Sequence, residues 1–134
     1  MTTRASGRFE IKSWDEAAYL ELDGGRKFTR ASISQLVSGD VQGESSAETL
    51  MYYREDGTAS YTGLTRIAGR IGDREGGFVL RSTGEFDGTT ARSSSQIVPG
   101  SGTGELAGIR GSGESASTHA DYPFVPFTLD YELG

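Results

Sequence analysis

Apolar and polar residues alternate with a spacing of two along nearly the whole chain, and turn residues interrupt the alternation at regular intervals. Phe9 and Ile11 alternate with Glu10 and Lys12, which predicts a first strand ending near Trp14. Residues 15–25 fit the pattern less well: Ala17, Ala18, Tyr19, Leu20 and Leu22 suit a short helical turn, closed by Asp23-Gly24-Gly25. Strands follow over about 26–37 and 41–54, separated by Ser38-Gly39-Asp40. Asp56-Gly57 and Asp87-Gly88 are hairpin signals, because both residue types tolerate the positive φ of tight turns. They bracket strands over about 58–71 and 76–86, the second with Phe78, Leu80, Gly84 and Phe86 on one face. A very polar strand over 89–98 stops at Pro99-Gly100, and short strands are expected over 103–109 and 113–117. The chain closes on its cleanest alternation, Phe127, Leu129, Tyr131 and Leu133 against Thr128, Asp130 and Glu132, and Leu129 and Tyr131 are expected to be buried.

About eight short strands at this spacing predict one all-β domain over 1–134, an antiparallel sandwich or barrel. A closed eight-stranded barrel is favoured, because the last strand is apolar on one face and can close against the first. Closure also removes the exposed edges on which β proteins aggregate.

Composition narrows the picture further. With 34% hydrophobic residues and Gly 20, the core must be thin or arranged around a cavity. The net charge of −6 comes from interleaved signs, with no basic cluster of the kind nucleic acids require. The absence of cysteine excludes disulfides and thiolate metal sites. The amino-terminal residues lack the apolar run of a signal peptide, and no stretch is long enough for a membrane-spanning helix, so a cytoplasmic protein without membrane partners is expected.

Gly102-Thr103-Gly104-Glu105-Leu106-Ala107 fits a dinucleotide-binding fingerprint, GxGxxA. That fingerprint needs a following helix, which Gly108, Gly111 and Gly113 forbid, and Glu105 would repel phosphate. The segment reads as tight turns, and no nucleotide is expected. His119, the one histidine, is a possible general base with Asp121 beside it, but its polar neighbours and Pro123 favour an exposed loop. A single imidazole cannot build a zinc site, so no metal cofactor is expected.

The strand over 89–98 offers the best physical hint of a ligand. Its Ala91, Ser93, Ser95, Ile97 face is mostly small, as are Gly63, Thr65, Ser82 and Gly84 on neighbouring strands. An eight-stranded barrel is filled by bulky inward residues, and small ones leave room for one small ligand. Tyr52, Tyr61, Phe78, Phe86 and Tyr131 supply apolar walls, the tyrosines with hydroxyl tips. The expected ligand-binding residues are therefore Tyr52, Tyr61, Ser82, Ser93 and Ser95. Arg30, which shares a face with Phe28 and Leu36, and Glu48, which shares one with Leu50 and Tyr52, are the candidate charged or catalytic members. The alternative puts these faces outside, with the lumen filled from the other side.

Gly76-Gly77-Phe78-Val79-Leu80, the segment from Val98-Pro99-Gly100 to Gly108, and the ending Leu129-Asp130-Tyr131-Glu132-Leu133 resemble the bacterial domain of unknown function 3224 family. Trp14-Asp15-Glu16 and Leu50-Met51-Tyr52 fit it as well, and the resemblance spans nearly the whole chain. It implies an allene-oxide-cyclase-like meander barrel that assembles as a homo-oligomer, a homodimer being favoured. The functions it suggests are a cofactor-independent cyclase or isomerase acting on a small apolar or mixed-polarity ligand, a non-catalytic carrier for an apolar metabolite, or a structural dimeric module.

Overall fold

A computed structural model describes residues 2–133. The strands are β1 (Thr3–Glu21), β2 (Lys27–Gly39), β3 (Val41–Tyr53), β4 (Ala59–Ile71), β5 (Arg74–Phe86), β6 (Thr90–Ile97), β7 (Thr103–Gly104), β8 (Ile109–Thr118) and β9 (Phe124–Leu133). Eight of them close an antiparallel barrel in the order β1–β2–β3–β4–β5–β6–β8–β9, with β9 returning to β1. β7 is a two-residue addition on the start of β5. Both Asp-Gly hairpins form as the sequence predicts. Asp56 Oδ1 accepts the amide of Thr58 at 3.0 Å, and Asp87 Oδ1 accepts those of Thr89 and Thr90 at 2.9 and 2.8 Å.

The first strand runs well past Trp14. The expected helical turn over 15–25 reduces to one 3₁₀ turn at Asp23–Gly25, because residues up to Glu21 continue the ladder with β2. That ladder carries register shifts between Ile11 and Ser13 and between Ala18 and Leu20, so an extra residue sits in β1 at Lys12 and again at Tyr19. Each bulge inverts the facing of the residues beyond it, which is why the apolar run from Ala17 to Leu20 lacks a strand period. The expected strand over 103–109 also shortens: after β7 the chain turns, and β8 begins at Ile109.

The two halves of the barrel interior differ. The lower half, where β2–β3, β4–β5 and the 98–108 segment turn, is packed with Phe9, Ile67, Phe78, Leu80, Ile97, Ile109 and Leu129. Leu106 reaches into this cluster from the glycine-rich segment and is 1% exposed, closing that end. Leu129 is buried as expected, but Tyr131 is only half-buried, packed on the rim of the cluster. The upper half holds a smaller cluster of Ala31, Ile33, Ala47 and Met51, with Ile11, Tyr53 and Tyr61 against it. Here β1 separates from β9: the two strands pair from Thr3 to Glu10, and beyond Pro123 the upper half of β1 has only β2 beside it. The inner face of residues 14–18 is therefore open to solvent. None of the described helices is long and apolar enough to cross a membrane.

Candidate functional site

The bulge at Lys12 brings Trp14 and Glu16 onto the inner face, opposite Ile33 and Ala31 of β2. Glu16 Oε2 accepts hydrogen bonds from Thr29 Oγ1 at 2.7 Å and Tyr53 Oη at 2.6 Å, and Oε1 accepts one from Trp14 Nε1 at 2.9 Å. No cation lies within salt-bridging distance of this carboxylate among the described residues; the Lys27 ammonium lies 5.1 Å from the centre of the Tyr53 ring. Thr29 is 2% exposed, so its hydroxyl has been withdrawn from water and depends on Glu16 for a partner.

Partial burial alone would push the Glu16 pKa up, but the three donated hydrogen bonds, helped by the nearby Lys27 charge, outweigh it and hold the carboxyl below its ordinary range. The Tyr53 phenol moves the other way, to about 12, first through burial and then through its hydrogen bond to Glu16 and that carboxylate's charge. Its folded value exceeds the unfolded value of about 10, so the folded state retains this proton longer. The associated stability is complete below about pH 10 and is lost as pH rises to about 12. In an ultraviolet titration, one phenol is expected to ionise near 12, and Tyr53→Phe should remove that step together with part of the alkaline stability loss. A Tyr53→Phe protein with an unchanged titration curve would refute the assignment.

A second polar group crosses the opposite wall. Tyr61 of β4 lies over Gly84 of β5 and reaches Ser93 of β6, Oη to Oγ 2.6 Å. A Cβ on Gly84 would stand 2.3–2.5 Å from the Tyr61 ring and hydroxyl, so only glycine allows this crossing. Below it, Ser82 and Ser95 form a hydroxyl pair at 2.7 Å. A cleft of about 1000 Å³ runs along β4, β5, β6, β8 and β9 at the level of Tyr61, Ser93 and Phe127. A smaller one, about 460 Å³, lies outside the same wall beside Arg81, Gln96 and the Arg4–Asp130 pair.

Of the residues expected to line a lumen, Tyr61, Ser82, Ser93 and Ser95 do share the inner face. Tyr52, Arg30 and Glu48 do not, which corrects the sequence reading. On β2 and β3 the odd-numbered Thr29, Ala31, Ile33, Ala47 and Met51 are buried, so their even-numbered neighbours must face outward. Tyr52 stacks on Phe28 outside the barrel with ring centres 4.9 Å apart. Arg30 and Glu48 neutralise each other there, at 2.8 Å and well exposed. Ser32 adds a third bond to Glu48, so neither charge is a lumen group. His119 is exposed, edge-on to Phe86, as its loop context suggests. No group of three or more His, Cys, Asp or Glu side chains could hold a metal ion among the described residues. Sequence reasoning missed Glu16, Trp14, Thr29 and Tyr53 because the bulge hides which side Glu16 faces.

A structural neighbour from Shewanella oneidensis MR-1, described as a protein with unknown function from the DUF3224 family, superposes with a TM-score of 0.84 at 24% identity. The alignment covers 100% of this chain and 99% of that one, and at this identity it establishes the fold alone. No curated protein matches the chain. The profile described as "Protein of unknown function (DUF3224)" matches residues 5–131. Since that match begins at the first buried residue of β1 and ends in β9, it takes in the whole barrel closure, and the chain belongs to the DUF3224 family.

Proposed function

We propose that this protein binds a small organic molecule at the open end of its barrel, with Glu16 as the polar anchor and without a metal or nucleotide cofactor. The observation that carries the reading is an inward-facing carboxylate held by three neutral donors, with no counter-ion in contact. A charge placed beside apolar walls is costly unless it is satisfied, and this one keeps a free lone pair for a guest. Trp14, Met51, Tyr53 and Tyr61 supply the apolar surroundings typical of a ligand site.

The electrostatics favour holding the ligand over converting it. A general base works best with a pKa near the operating pH, and Glu16 is shifted away from neutrality. Tyr53, which keeps its proton to about 12, serves as a donor rather than a base. The carrier reading is therefore preferred to a proton-transfer cyclase or isomerase.

Trp14 is the only tryptophan in the chain, so its fluorescence reports directly on the open end. In a screen of small ring compounds, some are expected to shift Trp14 emission saturably and to raise the melting temperature. A ligand at a hundred times its Kd stabilises by about 2.7 kcal/mol. Zinc, magnesium, calcium, ATP and NAD are expected to raise it not at all. Stabilisation by one of these five, or a screen in which no compound moves both signals, would overturn the proposal.

A further inference from the structure

The hydrogen-bond inventory around Glu16 restricts what the guest can be. Thr29, Tyr53 and Trp14 each have one side-chain hydrogen to give, and all three are given to the carboxylate. Tyr53 also lies 3.5 Å from the Met51 sulfur, but its one proton goes to the shorter, charge-assisted bond. What the cluster turns toward a ligand is therefore acceptor capacity: the remaining lone pair of Glu16 Oε1 and those of the Tyr53 oxygen. A carboxylate, phosphate or carbonyl guest would find lone pairs facing lone pairs. An amine or amidinium would find acceptors, one of them fully charged.

Two further observations point to a cation rather than a neutral donor. The half-exposed indole of Trp14 and the phenol of Tyr53 meet the carboxylate edge-on through their N–H and O–H groups, which sets two aromatic rings beside the charge for a guest's body to lie against. A cation already uses this surface, since the Lys27 ammonium stacks over the Tyr53 ring. Lys27 acts on Glu16 only through space, without an ion-pair contact, so no cation is bonded to Oε1. Resting on the reading of the open end as a ligand site, we propose that its ligand is a small organic cation, an amine or amidinium on an apolar ring. Its charged head bonds Glu16 Oε1, and its body lies along Trp14.

The test compares three probes of one shape: phenethylamine, 2-phenylethanol and phenylacetate. Each is titrated at low ionic strength into the wild-type chain and into Glu16→Gln and Lys27→Met, and binding is read by ligand NMR line broadening. Phenethylamine is expected to bind at least about ten-fold more tightly than 2-phenylethanol, a gap of about 1.4 kcal/mol. Phenylacetate should be the weakest, and added salt should weaken the amine alone. Glu16→Gln should bring the amine to the level of the alcohol. Lys27→Met should strengthen amine binding several-fold by removing the resident competing cation, which keeps the test decisive even if Glu16→Gln folds poorly. If the alcohol or the acid matches the amine in the wild-type chain, the cation inference falls while the ligand site stands. If none of the three broadens, both fall. Amine binding that survives Glu16→Gln unchanged would also overturn the assignment.

Discussion

Leu106→Ala is expected to destabilise the fold by about 3 kcal/mol, read as a lower urea midpoint with an unchanged slope. Leu106 belongs to a segment so rich in glycine that a surface loop would be the natural guess. Its side chain is nonetheless 1% exposed and packs with Phe78, Ile97 and Ile109 at the closed end. The segment is pinned to make this possible: Glu105 N donates to Glu75 O at 2.7 Å, Leu106 N to Thr103 O at 3.0 Å and Ile109 N to Leu106 O at 3.1 Å. A Cβ on Gly102 would stand 2.2 Å from the Leu106 carbonyl oxygen, so the tight turn requires that glycine. Truncating Leu106 leaves a cavity that these rigid neighbours cannot fill. Leu64→Ala is the control, since Leu64 faces solvent at 53% exposure and should cost less than about 1 kcal/mol. Equal losses in the two variants would show that the segment does not seal the barrel.

Gly84→Ala is expected to cost about 1–3 kcal/mol by forcing the Tyr61 ring from its seat across β5. The mechanism is checkable because it predicts non-additivity. In a Tyr61→Ala background the added methyl meets no ring, and an alanine in a strand is, if anything, better than glycine. There Gly84→Ala should be neutral or stabilising by up to about 1 kcal/mol. A double-mutant cycle read by chemical denaturation should therefore give a coupling of about 1–4 kcal/mol between two residues on adjacent strands. Additive losses would mean that Gly84 is needed for backbone reasons alone.

The fold was legible where turn chemistry and alternation agreed. Asp56-Gly57, Asp87-Gly88 and the Phe127–Leu133 alternation each specify their element locally, and the structure matches them. The inner wall was legible in part: Tyr61, Ser82, Ser93 and Ser95 lie on unbroken strands, where counting by two gives the face correctly. On β2 and β3 the difficulty was different. Phe28, Leu36, Leu50 and Tyr52 make the outward face look as apolar as the inward one, and only burial of the odd positions separates them. Hydrophobic pattern alone could not say which side Arg30 and Glu48 would take. For Glu16 the obstacle was register, a property of a pair of strands that neither strand's sequence reveals alone.

The extra residue at Lys12 behaves like a reading frame. Were the ladder to run straight through Lys12, with no residue left over, Thr3–Ile11 would stay paired as before, yet everything from Ser13 to the next bulge would exchange sides. Ser13, Asp15 and Ala17 would then point inward, and Trp14 and Glu16 would face away. The barrel's packed lower half would scarcely register the change, while the open end would lose its anchor completely. Removing Lys12 itself would let Ser13 follow Ile11 in plain alternation and keep Trp14 and Glu16 inward, so the site depends on the bulge absorbing that residue. A bulge of this kind buffers the site against a gain or loss of one residue on its lower side.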